Sequence, residues 1–172
     1  KLEHAMPGTR VAANLTGIDH KEINRGEVLT TVGWLKSTTA LDVHLRIIQD
    51  SPQPVKHNIF TTVHTGSSET AARVRLLDKQ VAMPGDSVWA QLKLNKPLAV
   101  VKGDYFVIRS NQMTLGGGSI VDTHARRHRR MHHPVLERLV IMEVGSDSDI
   151  IIKSVETSEP TEFQSLVSRT NL

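Results

Sequence analysis

The chain has 172 residues, 38% of them apolar and 23% charged, enough to bury one good core and too ordinary in charge for a disordered tail. Cysteine is absent, which excludes disulfides, thiolate metal sites and cysteine nucleophiles. The net charge of +3 says little by itself, and the longest apolar runs, such as Leu139 to Met142, fall far short of the roughly 20 residues that span a bilayer. The first residues, Lys1 to Met6, lack a signal-peptide core, so a cytoplasmic protein with no membrane partner is expected. In chain order, Thr9 to Leu15 alternates after the turn pair Pro7-Gly8 and reads as a strand. Leu41 to Ile47 alternates strictly, with its apolar residues at odd positions. Phe60 to Val63 follows, then Thr70 to Leu77, where Ala72, Val74 and Leu76 face one way and Arg73 and Arg75 the other. After the turn Met83-Pro84-Gly85-Asp86, the run Ser87 to Leu94 sets Val88, Ala90, Leu92 and Leu94 on one side. Tyr105 to Arg109 and Ser119 to Asp122 complete the set. Short strands at this spacing, with few helical stretches between them, predict a closed barrel or a sandwich.

The pattern changes near Asp122. Between Thr123 and Leu139 lie Arg126, Arg127, Arg129, Arg130 and Arg138 against a single acid, Glu137, and the tail then turns acidic from Glu143 onward. Pro134 suits the first turn of a helix running to Met142, and Gly145 suits its end. Asp147 and Asp149 can open a second helix through Ile152 and Val155. Ser158 to Glu162 can open a third that buries Phe163, Leu166 and Val167.

Several ordered stretches resemble elongation factor Tu and its relatives. Pro7 to Ile18 with Glu22-Ile23 and Arg25 to Leu29 looks like the end of that family's second domain. Met83 to Asp86, Lys96-Pro97-Leu98, Gly103 to Ser110 and Thr114-Leu115-Gly116-Gly117-Gly118 look like its third-domain barrel. Two further features resemble the selenocysteine-specific (SelB-type) branch. One is Val63-His64-Thr65-Gly66 with Glu69 and Arg73 to Leu77; the other is the triple glycine running through Ile120 into Ala125 and Arg130. The likeness covers roughly residues 5 to 130 and the tail more loosely; its motifs are specific as an ordered set.

That resemblance implies a mainly β chain: a six-stranded antiparallel β-barrel of the third-domain type, followed by a small helical segment resembling the start of a winged helix. It divides the chain into the end of a second-domain barrel over 1–30, the barrel over 31–122, a basic linker over 123–133 and the helical segment over 134–172. No phosphate-binding G-x-x-x-x-G-K-[ST] loop occurs, so GTP and Mg are expected in a domain upstream of Lys1, with no cofactor, no metal and no catalytic residue in the chain itself. The partners implied are selenocysteinyl-tRNA, the ribosome, an mRNA hairpin through a downstream winged-helix region, and the factor's own GTP-binding domain. The alternative is a scaffold barrel that contacts that nucleotide domain rather than RNA.

The RNA-binding candidates are Arg126, Arg127, Arg129 and Arg130, whose forks fit phosphate oxygens, although such charge runs are commonly solvated linkers. Arg109, Ser110, Asn111 and Gln112 occupy the loop where relatives touch the tRNA acceptor and T-stem, and His64 and Thr65 join this set. With 3% aromatics the chain suits helical RNA better than base stacking on single strands. Gly116 to Gly118 can cradle a phosphate, but glycines at a strand more often serve close packing. His124, His128 and His132 at helical spacing invite zinc, yet no fourth ligand accompanies them and the arginines repel a cation. His64 has no nucleophile and orienting acid around it, and no carboxylate pair announces a hydrolase.

Overall fold

The computed structural model describes residues 4–110 and 113–156. Six strands close a barrel in the order β1-β6-β4-β3-β7-β8, every pairing antiparallel. They are β1 (Thr38–Ile47), β3 (Ile59–Thr65), β4 (Ser68–Leu76), β6 (Ser87–Leu98), β7 (Tyr105–Ser110) and β8 (Met113–Asp122). Two short strands, β2 (Val55–Lys56) and β5 (Val81–Ala82), pair outside the ring. Alternation decides which side chains enter. Leu41, Val43, Leu45 and Ile47 of β1, Ala72, Val74 and Leu76 of β4, and Val88, Ala90, Leu92 and Leu94 of β6 are all buried in one core. Each leucine so buried contributes roughly 1.5–3 kcal/mol.

The family-like turn motifs have a shared chemistry. In Met83-Pro84-Gly85-Asp86, Gly85 has φ +87° and the Asp86 carboxylate accepts from the Met83 N–H at 2.8 Å. In Val101-Lys102-Gly103-Asp104, Gly103 has φ +89° and Asp104 accepts from the Val101 N–H at 2.9 Å. Each turn is closed by an aspartate one residue past a left-handed glycine.

The triple glycine lies inside β8 rather than before it. A Cβ on Gly116 or Gly118 would overlap the Arg46 or His44 carbonyl oxygen of β1, and one on Gly117 would meet the Phe106 carbonyl oxygen of β7. Both neighbours of β8 press on it too closely for any side chain. The glycines are therefore packing residues.

After the barrel come α1 (His133–Val144) and α2 (Asp147–Glu156). Helix α1 opens with Pro134 in its first turn and ends at Gly145, as its punctuation predicts. Leu139 and Met142 form a second, small core with Leu77 and Val121 on the outside of the barrel, flanked by Trp89, Val135 and Leu136. The strand expected over Thr9 to Leu15 is not formed; those residues are irregular, because no described segment lies alongside to complete a ladder. Residues 4–37 instead touch the barrel at points such as the Ser68 hydroxyl, which donates to the Gly26 carbonyl at 2.7 Å. The third helix expected from Ser158, with Phe163, Leu166 and Val167, lies outside the described residues.

Candidate nucleic-acid interface

The basic tract, expected as a linker, is bound to the barrel wall. The register aligns Asp122 of β8 with Asp42 of β1, Asp42 with Gln91 of β6, and Gln91 with Arg75 of β4. Strand alternation turns Asp42, Gln91 and Arg75 outward, a register shift near the end of β8 sets Asp122 beside Asp42, and the tract crosses over this row. Gln91 Nε2 donates to Asp42 Oδ1 at 2.9 Å and to the Arg126 carbonyl at 2.7 Å. Arg75 donates to Gln91 Oε1 at 2.7 Å and reaches the His128 carbonyl at 3.5 Å. His128 Nε2 pairs with Asp42 Oδ2 at 2.5 Å, where the carboxylate is 0% exposed. Burial pushes the Asp42 carboxyl above its ordinary range, and the hydrogen bond and charge of His128 oppose that rise.

Asp122, also buried, accepts from Arg138 of α1 at 2.5 Å and from the His124 N–H at 2.7 Å. Glu143 of α1 meets His44 at 2.7 Å, and His44 stacks on Trp89 with ring centres 4.7 Å apart. Two buried carboxylates thus clamp the tract and the helix to the same wall. Removing one partner of such a pair strands a buried charge, which makes the clamp specific.

The arginines therefore differ in what they can offer. Arg130 is spent on the barrel: it donates to the Leu76 carbonyl at 2.7 Å, to the Lys79 carbonyl at 2.8 Å and to Gln80 at 3.0 Å. Arg126, Arg127 and Arg129 are exposed, on a backbone fixed by these bonds. The tract is not helical before His133, so His124, His128 and His132 do not share a face; His128 is committed to Asp42.

The remaining candidates lie along the paired strands β3 and β7. His64 lies 3.7 Å from Glu69 across the β3–β4 hairpin, and the Thr65 hydroxyl donates to the Tyr105 carbonyl at 2.9 Å. Arg109 registers with Thr62, two positions from His64 along β3, and Ser110 is the last residue of β7. His64 registers with Val107, two positions from Arg109 along β7 and on the same outward face, so His64 and Arg109 are roughly 7 Å apart along the sheet, while Thr65 and Ser110 stand near the two ends of β7. Asn111 and Gln112 lie outside the described residues. Asp42, Gln91 and Arg75 escape sequence reasoning: each is an ordinary outward strand position, and only the pairing register joins them.

Residues 38–127 match the family described as selenocysteine-specific elongation factor, beta-barrel domain. A selenocysteine-specific elongation factor from Desulfomicrobium baculatum is 32% identical over 152 residues, covering 87% of this chain. The chain spans 24% of that relative's length. The matched span begins at the first residue of β1 and ends within the clamped tract, so it coincides with the barrel and its polar seam. Fold, motif order and sequence match agree, and the chain belongs to the selenocysteine-specific elongation factor family, carrying its β-barrel domain.

Proposed function

We propose that this barrel docks tRNA for a selenocysteine-specific elongation factor, which in full length delivers selenocysteinyl-tRNA to the ribosome. The observation that carries the reading is the clamped tract. Arg126, Arg127 and Arg129 are exposed on a backbone already fixed to the barrel, so an RNA phosphate chain meets cations whose ordering entropy is partly spent. The barrel chain itself binds and positions, with Arg109, Ser110, Asn111, Gln112, His64 and Thr65 as further contacts. GTP and Mg belong with the factor's nucleotide domain, and the mRNA hairpin belongs with helical modules that follow the barrel.

The test is the affinity of the chain for a tRNA acceptor–T-stem RNA as salt is varied. Replacing Arg126, Arg127 and Arg129 by Gln is expected to weaken binding at least tenfold and to lower the salt slope by about one per lost phosphate contact. Unchanged affinity in the triple variant removes the reading. A second reading, a scaffold barrel facing the factor's own nucleotide domain, is favoured by the exposed Leu29, Val32 and Trp34, since apolar surface suits a protein partner. Binding to that domain without binding to RNA decides for it.

A further inference from the structure

The outer faces of β4 and β6 carry cations of their own. Arg73 and Arg75 point outward between Ala72, Val74 and Leu76, and Arg73 registers with Lys93 across the β4–β6 ladder. With Arg127 and Arg130 of the tract, they line a groove of about 710 Å³ whose lining includes no acidic side chain. Phe60 also lines it, 62% exposed, with the Arg73 guanidinium 4.3 Å from its ring centre. His57, another lining residue, has a buried Nδ1 with no hydrogen-bond partner among the described residues.

Gathering these cations is unfavourable without an anion. Burial, then the neighbouring Arg127 and Arg130, hold the Arg75 guanidinium below its usual range. Asp42, the nearby carboxylate, is buried behind Gln91 and His128 and is not part of the groove's lining. Asn58 and Asn95 at the rim add amide groups that bond to phosphates or hydroxyls. Guanidinium forks, amides and a half-free aromatic face together fit a nucleic-acid strand better than an acidic peptide, which uses no ring.

We propose that this groove is a second RNA site on the barrel, seating backbone phosphates among Arg73, Lys93 and Arg127 and offering Phe60 to an unpaired base. It rests on the reading of the barrel as an RNA-docking surface and extends that surface from the tract onto the strands. A double variant, Arg73→Gln with Lys93→Gln, leaves every tract residue in place. Its affinity for a stem-loop RNA with unpaired nucleotides is expected to fall about tenfold at fixed salt, with the salt slope reduced by about two. In the unmodified chain, the same RNA is expected to shield Lys93 from amine acetylation; this readout decides the matter if the variant fails to fold.

A folded double variant that binds RNA as the parent does, or Lys93 acetylated at the same rate with RNA bound, overturns the groove. In that case, binding that still depends on Arg126, Arg127 and Arg129 leaves the tract reading intact. A parent chain that binds no RNA removes both. Polyglutamate of matched charge binding as tightly as the RNA also overturns the site, because it shows a taste for any polyanion.

Discussion

Gly118 shows how little freedom single positions in this barrel retain. Its Cα faces the His44 carbonyl of β1 so closely that a methyl group has no room, and the obstacle is backbone, which cannot swing aside. Gly118→Ala is expected to cost about 3 kcal/mol or more by overpacking, read as a lowered urea midpoint. Asp86 illustrates a different residue-scale effect. The Met83 N–H, then Lys79, hold its carboxyl below the ordinary carboxylate range. A carboxylate with a depressed folded pKa adds stability above its unfolded value, near 3.8, and loses it as pH falls through the folded value. Asp86→Asn should therefore melt lower than the parent at pH 7, and the two melting temperatures should converge as pH is taken below about 4.

Helix α1 is held less by its own propensity than by what its side chains meet. Leu139 and Met142 fill a small outer core, and Arg138 and Glu143 reach back to Asp122 and His44. The Asp122 pair is the stronger constraint, because its carboxylate is 4% exposed and Arg138 is 18% exposed. Arg138→Ala is expected to destabilise the chain by about 3–5 kcal/mol by leaving that carboxylate unpaired. Trp89 reports the change, since it packs beside α1 and stacks on His44. With Trp34 replaced by Phe, the remaining fluorescence is that of Trp89 on the wall where α1 docks. A helix that stays docked with no loss of stability would contradict the clamp.

At the scale of the whole molecule, the two cores share a wall. Val121, next to the last residue of β8, lies on the outer core while its neighbour Ile120 belongs to the inner one, and Leu77 follows Leu76 in the same way. The barrel, tract and α1 should therefore unfold together: far-ultraviolet dichroism and Trp89 fluorescence are expected to give coincident urea transitions. Two separate transitions would mean that the tract tethers α1 loosely. The charge is arranged at the same scale. Cations collect over β4, β6 and the tract, whereas acids accumulate from Glu143 onward, so a small net charge coexists with a strongly basic wall.

The strands were legible because alternation needs no partner to be recognised: Leu41 to Ile47 and Ser87 to Leu94 are written at period two, and an inward side chain at one position forces the next outward. Glycine–aspartate turns and the Pro134–Gly145 brackets of α1 were equally local. Thr9 to Leu15 carried the same alternation and formed no strand, since a ladder needs a second segment that alternation does not supply. The clamp was invisible for a related reason. Asp42, Gln91 and Asp122 stand far apart in the chain, and only closure of the barrel sets them in one row. The sequence by itself determined the strands, their inward faces and the local concentration of arginine. Tertiary structure alone decided that the arginine tract is fastened to the wall, because buried carboxylates acquire partners only when strand register brings them under it.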